Sequence, residues 1–552
     1  MPKLLTHAKK LPLYWRTLRR LKPVQVYGRL FAKVKRYSRV HAPRQAVLRP
    51  DAQDIRTDFL PSHVSSDGRT FTFLNEPVEF RSKVDWHITS KSMLWRYNLH
   101  YFEYLASLSL RQGRDLMEDW ITNNRNPRSL GWDPYPLSMR LVHWFKWLSR
   151  HGEGNASSVI LQSLYVQSGY LARNFEFHIQ ANHLFENAKA LLWAGLVFDG
   201  PGPERWLKQG QDILLEELEE QILADGAHYE LSPMYHSLIL EGCLDLLNLG
   251  TLQTRAPNVH RAILQRVPKM LEWLQAMCHP DGEISLFNDA AFGIAPTPRA
   301  LFTYAERLGL SVRQERPSCH LEASGYVVVG DSHRGDYLIL DVGGMGPVYQ
   351  PGHGHCDTLS FELSLAGRRV LVDTGVYAYQ DPAMRRMNRE TSAHNTLRID
   401  GLDQSEIWGS FRVANRAEPR DVHVDLQPES GFVRAGHSGY ESLGVHHFRQ
   451  WNWSPGSLVV TDQLEGSGKH RAELFFHLYP DLRWEVSGPL AILSAKDCEV
   501  ARIWLPEGWT PRVVPSLYCP EFGRAIPNQT LELSTTVTLP AHISSRIEWT
   551  VD

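Results

Sequence analysis

The sequence lacks several features that would assign it to a functional class. Its 552 residues contain no apolar run long enough to cross a bilayer, and its six cysteines form no CxxC pair. A phosphate loop, a dinucleotide-binding fingerprint and a nucleic-acid recognition motif are also missing. These absences argue against a membrane-spanning protein, a nucleotide-dependent enzyme and a nucleic-acid-binding protein. We expect most of the cysteines to be reduced and buried.

Acidic residues are missing from one region, the first 50 residues, which hold 14 Lys or Arg and no Asp or Glu. Residues 1–50 are predicted to form one or two basic amphipathic helices that contact anionic lipid, an anionic polymer or an acidic patch of the same protein. A solvated helical appendage is the alternative. No apolar run typical of a secretory signal follows the basic start. We therefore expect a cytoplasmic protein, with peripheral contact to an anionic membrane as one option and a periplasmic location as the alternative.

Length and periodicity predict a fold of at least two domains, first α and then β. From about residue 85 to 310, apolar residues recur at three- and four-residue spacing, and Pro or Gly interrupts them near 127, 201, 225 and 279. Beyond about residue 318 the period changes to two. We predict an (α/α) toroid, an incomplete ring of helices, over residues 51–315 and an antiparallel β-sandwich over residues 316–552. A generic helical bundle also fits the first of these patterns.

Two polar pairs interrupt the helical pattern. Asn182 and His183 lie in QANHLFEN, and Tyr235 and His236 lie in SPMYH, where Pro233 predicts the start of a helix. A helix that begins there directs Tyr235 toward the space enclosed by the helices. The alternative is that Asn182 and Tyr235 only satisfy backbone groups at helix ends.

A second polar group lies at the ends of predicted strands. His353 and His355 alternate with Gly in PGHGHCDTLSFEL, Asp373 follows RRVLV, and His394 precedes a strand in TSAHNTLRIDG. A single histidine in a sheet is usually only packed, but three at strand ends with an aspartate favour a metal. Neutral imidazole and carboxylate are ligands that Zn²⁺ prefers, so this group predicts a zinc site.

Taken together, NHLFEN, SPMYH, HGHCDTLSFEL, DTGVY and AHNT resemble the heparinase II/III family, which includes heparin, heparan and related uronate-polysaccharide lyases. The resemblance covers most of residues 90–420 in order. It implies an (α/α) toroid followed by an antiparallel β-sandwich, in agreement with the change of period. It also implies a lyase that cleaves an acidic polysaccharide by β-elimination.

The resemblance implies a role for each matching residue. Asn182 and His183 would neutralise the uronate carboxylate, Tyr235 would be the catalytic tyrosine, and His353 would be able to serve as the base. The ion would be mainly structural, because it holds the strand loops that present His353. The zinc ligands would be His355, Asp373 and His394.

The chemistry of β-elimination explains why these residue types are needed. The C5 proton of a uronate can be removed only if hydrogen bonds or positive charge stabilise the enolate-like state that develops. A tyrosine acts as base only where nearby cations favour its phenolate, and it can also protonate the leaving oxygen. If the proton and the leaving oxygen lie on one face of the sugar, Tyr235 does both jobs. If they lie on opposite faces, His353 removes the C5 proton and Tyr235 donates a proton to the leaving oxygen.

Other side chains are candidates for substrate binding. Arg385 and Arg389, in MRRMNRE, would bind carboxylates or sulfates through bidentate contacts, or would lie in a solvated loop. Trp132 would stack on a sugar ring or close the helical core, and we expect its aromatic neighbours to divide between these two uses. Tyr377 is a further candidate, and the sequence does not decide between Tyr377 and Tyr379 as a second tyrosine of the site.

Other functions fit the same residues. A uronyl C5-epimerase would remove the same proton and return one to the opposite face, and a non-catalytic protein would only bind the polysaccharide. An inverting hydrolase needs two carboxylates, for which Glu186, Glu230 and Asp289 are available without forming a persuasive pair. The basic start favours a biosynthetic role, in exopolysaccharide or capsule metabolism, over a nutritional one.

Overall fold

The computed structural model describes residues 11–32, 46–52, 54–62, 64, 66–312, 318–331, 334–427, 430–496 and 498–550. Within these ranges the first half of the chain is helical and the second half is rich in strands, as predicted. Among the helices that the structure describes, none combines the length and the apolar character needed to span a bilayer. All six cysteines are free thiols, and four of them are buried. The predictions made for residues 1–10 and 33–45 lie outside the described residues.

The helical half consists of helices in sequence, with a small hairpin of two strands, β1 (Thr70–Phe73) and β2 (Glu76–Glu79), between the second and the third of them. Several helices begin with Pro at their first position, where an N–H group is not needed, and Pro233 starts a helix as predicted. The helices are α1 (described over residues 11–18), α2 (Pro23–Ala32), α3 (Met93–Tyr101), α4 (Leu110–Asn123), α5 (Pro134–His151), α6 (Ser158–Leu171), α7 (Ala181–Val197), α8 (Pro201–Gln221), α9 (Pro233–Asn248), α10 (Leu252–Arg255), α11 (Pro257–Ala276) and α12 (Pro298–Arg307).

The sheet-rich half begins after α12 and contains one further helix, α13 (Pro382–Arg389). Its strands are β3 (Cys319–Leu321), β4 (Tyr326–Asp331), β5 (Asp336–Asp341), β6 (Phe361–Leu365), β7 (Arg368–Leu371), β8 (Leu397–Ile399), β9 (Ile407–Trp408), β10 (Arg412–Val413), β11 (Pro419–Leu426), β12 (Gly431–His437), β13 (His446–Ser454), β14 (Ser457–Glu465), β15 (Lys469–His477), β16 (Arg483–Ser487), β17 (Leu490–Ala495), β18 (Cys498–Trp504), β19 (Thr510–Glu521), β20 (Arg524–Thr538) and β21 (Ala541–Glu548).

Three antiparallel sheets contain most of these strands. One has eight strands in the order β11-β12-β13-β14-β21-β18-β17-β16, one has five in the order β3-β4-β5-β6-β7, and one has four in the order β19-β20-β15-β8. Alternate residues of β14, among them Leu458, Val460 and Leu464, are buried, which matches the predicted period of two. Apolar residues from all three sheets form one core.

A separate apolar cluster joins the two halves. Trp273 and Phe287 of the helical half pack with Tyr326 and Ile339 of the sheet-rich half. This shared core holds the end of α11 and the segment after it against β4 and β5, because apolar surface from both halves is removed from water together. The polar groups described below lie at this junction.

The helices α1 and α2 lie across both halves. Arg16 forms an ion pair with Glu406 of the sheet-rich half, with 2.5 Å between Nη2 and Oε1, and Lys22 pairs with Glu220 of the helical half. Gln25 is fully buried. The basic helices therefore contact acidic groups of the same protein, one of the options that the sequence left open.

Candidate active site

The start of α7 places two polar side chains together. Asn182 is 3% exposed, and its amide nitrogen donates to Glu230 with 3.1 Å between Nδ2 and Oε2. His183 Nδ1 lies 3.2 Å from Glu176 Oε2, and the ring packs on Tyr135 with 4.3 Å between centroids. The first turn of a helix carries positive partial charge and free N–H groups, so this end of α7 favours an anion.

The backbone beside these polar groups is in an unusual conformation. Ala181, Leu231 and Asn288 have φ values of 55°, 56° and 58°, in the left-handed region that residues with a Cβ rarely adopt. Each adjoins a polar residue of the junction. Such positions cost about 1–3 kcal/mol each and persist only where the surrounding contacts impose them.

Tyr235 lies in the first turn of α9, as the sequence predicts. Its hydroxyl is 3.1 Å from the hydroxyl of Tyr379, and its ring is 4.1 Å from the ring of His353, measured between centroids. Burial raises the pKa of Tyr235 well above its usual value, and the neighbouring Tyr379 and Asp289 act in the same direction. The phenol therefore keeps its proton, and Tyr379 rather than Tyr377 is the second tyrosine at this position.

Asp289 is the common acceptor for the histidines of the site. Its Oδ2 lies 2.7 Å from His353 Nδ1, and its Oδ1 lies 2.9 Å from His355 Nε2. Arg385 donates to both oxygens, at 2.8 Å for the pair Nη2 and Oδ2. Burial alone would raise the pKa of Asp289, but Arg385 and the two histidines hold it well below the usual range. The group is therefore a carboxylate.

Backbone contacts around Asp289 tie the two halves together. Its N–H donates to the His353 carbonyl at 3.0 Å, and its own carbonyl accepts from the Ser232 hydroxyl at 2.7 Å. From the sequence, Asp289 was a candidate only as a hydrolase carboxylate, and this role was not predicted. Its side-chain partners lie 64 to 96 positions away along the chain, so no local pattern reveals them.

The predicted metal ligands form a buried cluster. The candidate ligand atoms of His355, Asp373 and His394 all lie within 4.8 Å of one another. His394 Nδ1 is 2.6 Å from Asp373 Oδ2, while His355 Nδ1 and His394 Nε2 are buried with no hydrogen-bond partner among the described residues. Burial lowers the pKa of His355 to about 3, which keeps the imidazole neutral. Two unpartnered imidazole nitrogens beside a carboxylate fit a zinc ion.

The two arginines predicted to bind substrate are used inside the protein, which corrects that expectation. Arg385 is 2% exposed and neutralises Asp289. Arg389 is 1% exposed and donates to the carbonyl of Gly354, at 3.0 Å from Nε and 2.8 Å from Nη2. Both guanidinium groups therefore brace the loop that carries His353, and a direct substrate contact would require that these bonds break.

The aromatic candidates divide between core and site. Trp132 is 8% exposed and its indole donates to the Asn124 carbonyl at 2.7 Å, so it closes the helical core and does not offer a face to a sugar. Tyr135 is half-buried beside His183. The backbone N–H of Tyr377 donates to Asn388 at 3.0 Å, and no contact of Tyr377 with the Tyr235 hydroxyl is seen in the described structure.

Two family models match the chain. Residues 66–299 match the heparinase II/III N-terminus, and residues 313–550 match the heparinase II/III-like C-terminal domain. A heparin-sulfate lyase from Pedobacter heparinus is 26% identical over 348 residues, which cover 55% of this chain and 51% of that protein. Another from Bacteroides thetaiotaomicron is 24% identical over 413 residues, 66% of this chain and 57% of that protein. The chain thus matches about half the length of these relatives.

The fold is shared with solved structures of the same kind. A crystal structure of heparinase III covers 96% of this chain and 91% of its own, at 17% identity and a TM-score of 0.67. A heparan sulfate lyase mutant from Pedobacter heparinus covers 96% and 88%, at 17% identity and a TM-score of 0.60. At these identities the likeness concerns the fold, a helical part followed by a sheet-rich part.

Proposed function

The chain belongs to the heparinase II/III family, and from this we propose that it cleaves a uronate-containing acidic polysaccharide by β-elimination. The observation that carries the proposal is the pairing of Tyr235 with His353, 4.1 Å apart between ring centroids, beside a helix start suited to a carboxylate. We also propose that the helices form the incomplete toroid and the sheets the sandwich expected from the sequence.

His353 is the proposed base that removes the C5 proton. Its Nδ1 lies 2.7 Å from the Asp289 carboxylate, so the neutral ring donates from Nδ1 and keeps the lone pair on Nε2. The negative charge of Asp289 then stabilises the imidazolium that forms when Nε2 takes the proton. This division of roles follows the general logic of a histidine oriented by a buried aspartate.

Tyr235 is the proposed acid that protonates the leaving glycosidic oxygen. Burial raises the pKa of its phenol, with Tyr379 and Asp289 adding to the effect, so the group is a proton donor in the resting protein. Arg385, a cation close to Tyr379, is ion-paired with Asp289. Its charge is therefore offset and does not favour a phenolate at Tyr235. These features support separate base and acid, with the C5 proton and the leaving oxygen on opposite faces of the sugar.

Asn182, His183 and Glu230 are the proposed groups that neutralise the uronate carboxylate. Burial lowers the pKa of His183, but the charge and hydrogen bond of Glu176 outweigh that effect and raise it. Burial also raises the pKa of Glu230, against the opposing effects of His353 and Asn182. A cationic His183 and a protonated Glu230 would both stabilise an enolate-like oxygen.

A lyase and an epimerase differ in their products, which gives the test of this proposal. Incubation with uronate polymers, beginning with heparan-type chains because the relatives are named heparin-sulfate lyases, should produce the ultraviolet absorbance of a C4–C5 double bond. Exchange of the C5 hydrogen with solvent deuterium, without that absorbance, would instead identify an epimerase. Binding without exchange or absorbance would leave only a polysaccharide-binding protein.

Zinc is the proposed ion of the cluster formed by His355, Asp373 and His394, where it would supply fixed positive charge. We expect about one zinc per purified chain by elemental analysis and a lower thermal midpoint after chelation. His355→Ala and His394→Ala should each lose the metal, while His470→Ala, at a surface histidine, should keep it. Full zinc content in both site variants would contradict this ligand set.

The hydrolase alternative finds little support in the three carboxylates considered. Glu186 is paired with Lys189 at 2.6 Å and Asp289 is paired with Arg385, so neither is a free base that could act together with Glu230. An inverting hydrolase needs a free base and a protonated acid on either side of the bond.

We also propose a setting in exopolysaccharide or capsule biosynthesis, supported only by the basic charge of residues 1–50.

A further inference from the structure

The helices α1 and α2 present their apolar side chains to solvent. Of the 17 large hydrophobic residues exposed in the described chain, six lie between residues 11 and 30, so the patch is concentrated. Trp15 is 69% exposed, and Leu11 and Leu30 are each 64% exposed. Exposed apolar side chains concentrated in one short segment are typical of an interaction site. The six residues are Leu11, Trp15, Leu18, Val26, Tyr27 and Leu30.

Several polar side chains of the same stretch are turned toward the protein. Arg16 pairs with Glu406 at 2.5 Å and Arg20 with Glu418 at 3.3 Å. The Trp408 indole donates to Thr17 at 3.1 Å. This is the reverse of an ordinary surface helix, which buries its apolar face and exposes its polar one. The contacts fix the helices with the apolar face outward.

We propose that this face of α1 and α2 docks on an anionic membrane surface. Leu11, Trp15 and Leu18 are spaced four and three residues apart and share one side of α1, as in helices that lie in the membrane interface. Arg19, in the turn after α1, and Arg29, in α2, are exposed, and the described stretch of residues 11–32 has no acidic residue. Basic charge around an apolar face complements anionic lipid headgroups.

Other occupants of this face fit less well. Leu11, Leu18 and Leu30 are aliphatic and offer no ring on which a sugar can stack, so an acidic polysaccharide would leave most of the patch in water. A second copy of the chain would bring Arg19 and Arg29 against their own counterparts, and like charges repel. A bilayer accepts both the aliphatic side chains and the arginines.

Docking of α1 and α2 on a membrane would hold the proposed catalytic site near the bilayer. Lys22 Nζ lies 3.5 Å from Gln180 Oε1, and Gln180 is two residues before Asn182. Lys22 also lies 4.0 Å above the ring of Tyr349, four residues before His353. The proposed membrane surface and both halves of the site are thus joined through Lys22, in the segment between α1 and α2.

Vesicle flotation of the full-length protein tests the proposal. We expect binding to phosphatidylcholine vesicles that contain phosphatidylglycerol, and at least about tenfold weaker binding to phosphatidylcholine alone or at high salt. Trp15→Ser with Leu18→Ser and Leu30→Ser should weaken the binding at least about tenfold. The matched control changes three exposed apolar residues of the sheet-rich half, Val422→Ser, Phe432→Ser and Trp504→Ser, and should bind as the unaltered protein does.

A second variant separates charge from apolar contact. Arg19→Glu with Arg29→Glu should remove the preference for anionic vesicles, and circular dichroism should show an unchanged fold for every variant. No flotation with anionic vesicles, or equal flotation of the triple Ser variant and its control, would overturn the proposal. So would a dimer in analytical ultracentrifugation, or retention of an acidic polysaccharide, that the triple Ser variant abolishes.

Discussion

Tyr235→Phe is expected to lower kcat about 10²–10⁴-fold on any uronate polymer that the protein cleaves, with little change in KM. The exchange removes the proposed proton donor but keeps the ring that packs on His353. The hydroxyl is hydrogen-bonded to that of Tyr379, and the loss of this bond should cost only about 0.5–1.5 kcal/mol of stability. Initial rates from ultraviolet absorbance, with the thermal midpoint measured in parallel, give both quantities.

Two matched exchanges distinguish the tyrosines. Tyr379→Phe removes the partner that orients the Tyr235 hydroxyl and should reduce kcat about tenfold, less than Tyr235→Phe. Tyr377→Phe, the same change two positions earlier, should leave kcat within about twofold. If Tyr235→Phe retained full activity while His353→Ala did not, the protonation of the leaving group would have to be assigned to another residue.

Asp289→Asn is expected to lower kcat about 10³–10⁴-fold, because the amide can hold His353 in the wrong tautomer and cannot stabilise its imidazolium. It should also destabilise the fold by about 3–5 kcal/mol, since Arg385 is left buried without its counterion. Urea unfolding measures the second effect. Asp281→Asn is the matched control, because Asp281 forms a similar bidentate pair with Arg369 but is 39% exposed.

A double variant separates the two effects of Asp289. Arg385→Met in the Asp289→Asn background removes the unpaired cation and should recover much of the stability, while kcat stays low because His353 still lacks its carboxylate. Recovery of activity together with stability would show that Asp289 serves the fold alone. The Asp281→Asn control should retain its activity throughout.

The sequence was sufficient to predict the arrangement of helices followed by sheets. The change of apolar spacing near residue 318 reflects which side chains each element buries, and this property is local. Pro233 correctly predicted the start of α9, because the N–H group that proline lacks is not needed at the first position of a helix. The order of strands in the eight-stranded sheet, in which β14 lies beside β21, depends on pairing between segments far apart in sequence. No local spacing encodes that order.

The candidate site was predictable in part. Tyr235 and His353 meet as expected, and the three proposed zinc ligands lie together. Arg385 and Arg389 were misjudged because arginines in a polar helix look exposed, whereas burial here is offset by Asp289 and by backbone carbonyls. The role of Asp289 was missed for a different reason, because its side-chain partners come from distant parts of the chain.

The left-handed residues beside the site have a consequence for how the protein would respond to selection for stability. Ala181, Leu231 and Asn288 occupy conformations that glycine adopts without strain, so Ala181→Gly would remove backbone strain, whereas Leu231→Gly would also lose the contacts of a buried leucine. A search for thermostable variants would therefore find a gain at Ala181, next to Asn182 of the site. Glycine at position 181 would also loosen the backbone that holds Asn182, so stability and turnover would move in opposite directions.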